Sequence, residues 1–333
     1  MTAGHATQTT PSVSVVVCAY TLDRWVDLAT AVNSLQGQTL LPSEIIVVSD
    51  HNPPLYRRAC ESWPNLLVLE NAEAQGLSGA RNTGVAAACG DIIAFLDDDA
   101  TAETDWVERM VEAYSETGAH GVGGAIRPSW VVGRPRWFPD EFDWVVGCTY
   151  RGMPEERARV RNLIGANMSF RRELLGAAGN FQTGMGRVGT RPLGCEETEL
   201  CIRGSQRVKD AFYMYDPAVA VGHTVPAHRG SWRYFASRCY SEGLSKAHVS
   251  DLVGADAGLS SERSYTLRTL PLGVVRGLRD AFAGDLHGLL RAFAIVAGLT
   301  VTTLGYGRGA LLRKALRRRE PAGKAATRSA GTA

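Results

Sequence analysis

The sequence predicts an α/β protein with a mostly parallel central sheet flanked by helices, and three observations predict it. Four β-branched runs, VSVVVCAY (13–20), EIIVVS (44–49), LLVLE (66–70) and DIIAFL (91–96), are nearly free of polar side chains, as strands covered on both faces are. Segments with helical apolar spacing separate them, which is the alternation of a βαβ chain. The 333 residues are 45% apolar and 21% charged, a globular composition that excludes wholesale disorder.

Taken in order, the first run is a buried strand. After it, apolar residues at 25, 28, 32 and 35 fall on one face of a helix spanning 23–36. The second and third runs are strands, and the alanine-rich LSGARNTGVAAAC (77–89) is a helix. The fourth run is a strand, followed by a helix over 105–116 with Asp105 as its cap. GVGGAI (121–126) predicts a glycine-softened fifth strand. The stretch 130–150, rich in Trp, Phe and Pro, predicts a long structured loop. NLIGANMSFRRE (162–173) returns a strand to the sheet, and a glycine-punctuated loop (176–194) leads into a helix at ETELCIRGSQR.

From Leu267 to Phe293 an apolar stripe recurs at helical spacing. Between Arg291 and Arg308 lie 16 uncharged residues, fewer than the roughly 20 of a spanning helix. Arg308, Arg313, Lys314, Arg317, Arg318 and Arg319 follow. An apolar face beside a basic cluster fits an amphipathic helix lying on an anionic membrane; the alternative is a helix packed on the domain with solvated arginines beyond it. The organisation expected is a flexible N-terminus (1–11), a catalytic domain (12–250), a C-terminal helical, membrane-associating region (251–320) and a disordered tail (321–333).

Charge and cysteine usage narrow the class. With 36 Lys and Arg against 34 Asp and Glu, the chain lacks the basic excess of nucleic-acid binders, so no nucleic-acid partner is expected. Seven scattered cysteines with no C-x-x-C pair read as free thiols of a reducing compartment. The polar first dozen residues carry no apolar signal-peptide core. GMGRVG (184–189) follows no strand, so it is no dinucleotide fingerprint.

Chemistry concentrates in FLDDDA (95–100). Two carboxylates about 5 Å apart repel by roughly 3 kcal/mol at an effective dielectric of 20. A divalent cation removes that repulsion, and in an extended turn Asp97 and Asp99 face one side while Asp98 faces the other. Hard oxygen ligands suit Mg²⁺ or Mn²⁺; a solvated acidic turn is the plainer reading. Asp50 ends the second strand, where an acid can accept hydrogen bonds from a base or ribose, and Tyr20 ends the first, where a ring can lie against a base. GLSGARNTG (76–84) opens a helix with glycines and places Arg81 where a phosphate is favoured.

In this order, SVVVCAYT, EIIVVSDHN, GLSGARNTG and FLDDDA resemble the motifs of the family 2 glycosyltransferases, over about residues 12–250. The resemblance implies the GT-A fold of nucleotide-diphospho-sugar transferases. It implies that Tyr20 and Asp50 contact the base, Arg81 a nucleotide group, Asp97 and Asp98 the ribose and metal region, and that Asp99 ligates the metal. The sequence departs from the pattern after the second strand, where Ser49-Asp50 leaves one acid and His51-Asn52 replaces Gly-Ser.

GCEETELCIR (194–203) resembles the family's GEDxDLxxR segment, which makes Glu197 the catalytic base and Glu196 the fallback; unaided, the same residues read as acids dressing a helix N-terminus. The resemblance also suggests His223 as a further metal ligand and Arg229 as a diphosphate contact. In the aromatic stretch, Trp137, Phe138, Phe142 and Trp144 suit acceptor contacts or the core of a subdomain. Together with the basic amphipathic tail, these features resemble the branch acting on polyprenyl- or dolichyl-phosphate-linked saccharides. The expected function is thus metal-assisted, inverting transfer from a UDP- or GDP-linked sugar to a saccharide or lipid-linked saccharide, at the cytoplasmic face of the cell membrane. The alternatives are a sugar-nucleotide nucleotidyltransferase and a non-catalytic sugar-nucleotide-binding protein.

Overall fold

A computed structural model describes residues 10–187, 193–258 and 260–319; the expected tail at 321–333 and most of the expected N-terminal segment lie outside them. The apolar runs form strands β1 (Val13–Ala19), β2 (Glu44–Ser49), β3 (Leu67–Glu70) and β4 (Ile92–Asp97), paired in parallel in the order β3-β2-β1-β4. Helices α1 (Trp25–Gln36), α2 (Pro53–Ser62) and α3 (Leu77–Ala87) cross between them. The motif-bearing strand ends at 20, 50 and 97 therefore come out on one edge of the sheet. Helix α2 buries Leu55 and Ala59; Asn52 caps it by accepting from the Leu55 N–H and Pro53-Pro54 begin it, a start signal legible in the sequence.

Beyond β4 the sheet is mixed rather than mostly parallel. Strand β5 (Ala100–Ala102) leads to α4 (Trp106–Thr117), and β6 (Gly121–Trp130) to 3-10 turns at Asp140–Val146. Then come β7 (Ala158–Val160), β8 (Asn167–Arg171), α5 (Arg172–Ala178), α6 (Glu196–Arg207) and β9 (Tyr213–Val225). Strand β8 is antiparallel to both β4 and β6, and β9 runs parallel to β6 but antiparallel to β5 and β7. Polar-free strands report burial on both faces, not direction, so the reversal at β8 left no trace in the sequence pattern. Strand β9 bends past a register shift opposite Gly124, where a Cβ would stand 1.7 Å from the Val219 carbonyl oxygen; only glycine fits that approach. After the bend β9 reaches β5, setting His223 opposite Ala100, beside Asp99.

A long helix, α7 (Trp232–Val253), follows, then the short turns α8 (Ala255–Gly258) and α9 (Ser260–Ser264), a π-turn at Tyr265–Thr269, α10 (Leu270–Phe282) and α11 (His287–Arg319). The apolar stripe read across 267–293 is thus two helices, broken where Gly284 takes φ 103°. Helix α11 lies along α7 with small residues at the crossing: a Cβ on Gly243 would stand 2.1 Å from the Thr302 carbonyl oxygen, and one on Gly305 2.2 Å from that of Tyr240. One side of α11 is packed, with Ala294 and Ile295 buried; the other exposes Phe293, Val296, Leu304 and Leu311. By length and composition, His287–Ala315 is long and apolar enough to cross a membrane. Gly243→Val forces the two helices apart, and overpacking of this kind typically costs about 1–3 kcal/mol. Thermal denaturation should show a melting temperature several degrees lower; an unchanged transition would mean that the helices do not meet through these glycines.

Candidate active site

The acidic turn is built where β4 ends. Asp97 is half-buried, Asp98 and Asp99 are buried, and the Asp99 carbonyl accepts from the Thr224 N–H at 2.8 Å, so β9 fixes the turn. His223 Nε2 lies 3.1 Å from Asp99 Oδ1. Arg229 Nη2 and Arg24 Nη1 each stand 3.2 Å from Asp99 Oδ2, and Arg24 also pairs with Asp98 Oδ1 at 2.9 Å. Burial alone would raise the Asp99 pKa, yet the charge and hydrogen bond of His223, with Arg229 and Arg24, hold it well below the carboxylate range. Burial and the neighbouring Asp99 push Asp98 up to about 7, and its Oδ2 is buried without a hydrogen-bond partner among the described residues. Arg24 was not singled out from the sequence. It sits one helical turn past Tyr20, where an arginine looks like any solvated helix start.

The second group of acids enters from α6. Cys195, ahead of it, holds φ 70°, a left-handed conformation uncommon for a side chain other than glycine. Glu196 is buried, and its Oε1 accepts from Arg81 Nη1 at 2.9 Å. The same guanidinium gives Nη2 to Asp97 Oδ1 at 3.3 Å and to the Gly165 carbonyl at 3.1 Å. The two acid groups, about 100 residues apart along the chain, thus meet through one arginine that is 2% exposed. Arg81 was expected to grip a nucleotide; it reaches the cavity wall, but its guanidinium is already engaged by two acids and a carbonyl. Glu197 makes no ion pair with a described residue. Burial, with the Glu196 charge beside it, pushes its carboxyl up to about 8.

Both groups line one cavity of about 660 Å³, as do Tyr20, Asp50, Arg229 and His223. Tyr20 is 37% exposed there, its ring 5.5 Å from the Arg24 guanidinium carbon. Asp50 accepts from the Gly76 N–H at 2.9 Å and from Asn71 Nδ2 at 2.7 Å. Gly76 takes φ 131°, so this carboxylate pins the glycine turn that opens α3. Phe142 and Trp144 line the cavity as well. The acceptor contacts expected of Trp137 and Phe138 are corrected: neither lines the cavity. Trp137 stacks on Trp232 at 3.9 Å between ring centres, and Phe138 is 1% exposed against Phe235 and Trp130, so apolar packing, the other reading of that stretch, accounts for both.

Asp97, Asp99 and His223 each offer a ligand atom, all within 4.8 Å of one another. Two carboxylates and an imidazole make a donor set suited to a divalent cation such as Mn²⁺. The buried oxygen of Asp98, with no hydrogen-bond partner among the described residues, and the three basic side chains gathered on Asp99 show how much negative charge the turn collects.

The family model described as Glycosyl transferase family 2 matches residues 14–178. The glucosyl-dolichyl phosphate glucuronosyltransferase of Haloferax volcanii is 35% identical over 264 residues, 78% of this chain and 83% of that protein. The mannosyltransferase PcManGT from Pyrobaculum calidifontis, solved in complex with GDP-Man and Mn²⁺, superimposes with a TM-score of 0.55 at 18% identity, over 89% of this chain and 88% of its own. GalNAc-T7, solved with UDP, GalNAc and Mn²⁺, gives a TM-score of 0.51 at 16% identity over 78% of this chain, which spans 57% of that one. These two likenesses establish the GT-A fold. The Haloferax relative, aligned along most of both chains, establishes more: the chain belongs to glycosyl transferase family 2.

Proposed function

We propose that the protein is an inverting glycosyltransferase that moves a sugar from a UDP- or GDP-linked donor to a hydroxyl of a lipid-linked saccharide, with Glu197 as its base. The observation that carries this reading is the convergence of two acid groups on one cavity, one with the donor set of a cation site and one whose Glu197 makes no ion pair with a described residue. Asp97, Asp99 and His223 would hold Mn²⁺ or Mg²⁺. Such an ion neutralises charge on the departing nucleoside diphosphate. Arg24 and Arg229 set further positive charge on the same wall, and Tyr20, Asp50 and Asp98, which line the cavity too, would meet the nucleoside end of the donor.

Glu196 and Glu197 divide the remaining work. Arg81 holds the Glu196 carboxylate in place, and burial, with the Glu196 charge beside it, raises the proton affinity of Glu197 toward that of a general base. Glu197 would take the acceptor's proton as its oxygen attacks the anomeric carbon from the face opposite the nucleotide. Trp144, half-buried on the cavity wall, would offer an aromatic face to an acceptor sugar, while Phe142, 1% exposed, packs against it. The dolichyl-phosphate sugar in the Haloferax relative's name supports a lipid-carried acceptor. The exposed apolar side of α10 and α11, ending in Arg308, Arg313 and Lys314, supports peripheral seating on the cytoplasmic face of an anionic membrane.

Glu197→Gln should leave donor affinity intact and lower kcat by about 10²–10⁴, the usual worth of a general base; a near-normal rate would remove Glu197 from that role. Asp99→Ala should abolish Mn²⁺-stimulated donor binding in calorimetry, and unchanged stimulation would contradict the ligand assignment. Release of nucleoside diphosphate, as opposed to pyrophosphate, separates glycosyl transfer from nucleotidyl transfer, and no release with any donor–acceptor pair would speak for a binding protein.

The raised Glu197 carboxyl sets a pH dependence. The folded protein keeps a proton there that the unfolded chain releases around its ordinary value of 4.5, so this group's contribution to stability falls as pH rises from about 4.5 to about 8. Over that window the ionised base, and with it kcat/KM, increases. Denaturant melts and rate profiles of Glu197→Gln should lose both slopes together; slopes that persist in the variant belong to another group.

A further inference from the structure

The cavity continues past the catalytic acids into a lobe bounded by α7, the Ser260–Thr269 turns and α11. There Arg161, Arg238 and Lys246 stand with Glu242 and Glu262, every side chain less than a quarter exposed. Arg161 donates to both Glu262 oxygens, at 2.7 and 3.0 Å. Lys246 Nζ lies 2.5 Å from Glu262 Oε1 and 3.3 Å from Glu242 Oε1. Arg238 Nη1 is 2.8 Å from Glu242 Oε2, yet it is buried and makes no hydrogen bond with a described residue.

Three cations against two carboxylates leave one positive charge in excess, facing a cavity. A closed structural latch would be balanced, because an uncompensated charge taken out of water is costly. An excess of this sign suits an anion. None of the three touches the Asp97–Asp99 turn, whose ion pairs are with Arg24, Arg81, Arg229 and His223. The lobe flanks the base instead: Cys195 Sγ donates to Glu242 Oε1 at 3.3 Å, and the Gly194 N–H donates to Ser245 Oγ. Its outer wall is Leu299, Thr302, Thr303 and Tyr306 of α11, one edge of the helix that exposes Val296 and Leu304 on its outer side.

Resting on the proposed transfer to a lipid-carried saccharide, we propose that Arg161, Arg238 and Lys246 form a subsite for the phosphate of that acceptor, and that Glu262 is the internal carboxylate it displaces. A carboxylate forked onto Arg161 presents two oxygens to the guanidinium as a phosphate does. Glu262 belongs to a five-residue turn, so its displacement leaves the α7–α11 crossing in place. Seated there, the phosphate lies beyond Glu197 from the cation site, with its lipid leaving along α11 toward the exposed apolar side.

The test is calorimetric titration of the full chain, with Mn²⁺ and saturating UDP or GDP filling the donor end, by citronellyl phosphate, citronellol and inorganic phosphate. Citronellyl phosphate should bind and citronellol should not. Lys246→Gln and Arg161→Gln should each weaken binding at least tenfold, Lys246→Arg should retain it, and Glu262→Gln should tighten it, an effect that damaged folding cannot produce. Equal affinities across the variants, no binding to the wild-type chain, or inorganic phosphate binding as tightly as the prenyl ester would each overturn the subsite. Failure to glycosylate glucosyl citronellyl phosphate, with the binding pattern intact, would count against the proposed activity and leave the subsite standing.

Discussion

The site depends on the buried guanidinium of Arg81. It holds Asp97 at the end of a sheet strand and Glu196 at the start of a helix, and it draws the Gly165 carbonyl in between. A buried arginine is tolerated only when its donors are met, and each acid it meets would be costly there alone. The three groups therefore hold one another in place. Arg81 fixes Glu196, and burial, with the charge of that fixed neighbour, raises the proton affinity of Glu197. The candidate cation site and the candidate base are thereby tied together through one side chain.

Around that girder the fold supplies position. The parallel strands bring Tyr20, Asp50 and Asp97 to a common edge, while β9, bending where Gly124 lets two backbones touch, carries His223 back to Asp99. Asp50 serves the same end: by accepting from Gly76 it fixes the turn from which α3, and so Arg81, departs. Residues that read in the sequence as ligand contacts thus also hold the scaffold that aims the site.

Much of this was legible from residues alone, for identifiable reasons. Polar-free runs marked the strands of the first half, and a triple acid at the end of one of them marked the candidate cation site, since such charge density needs a partner. Glu196 and Glu197 stood out only through the family resemblance, since unaided they read as acids at a helix N-terminus. What was not legible depended on pairing. Arg24 and Arg229 close on Asp99 only in three dimensions, and the reversed direction of β8 leaves no mark in a strand buried on both faces. Trp137 and Phe138 misled because an aromatic cluster that packs has the same composition as one that binds. The five-membered network of Arg161, Arg238, Glu242, Lys246 and Glu262 draws on three separate segments, none of which carries a motif.

The pairing of β5 with β9 has a consequence for synthesis. Asp97 and Asp99 leave the ribosome more than a hundred residues before His223, and until β9 closes against β5 the nascent chain holds two of the three ligand groups. The full candidate ligand set therefore comes together only once the last strand of the sheet has been made.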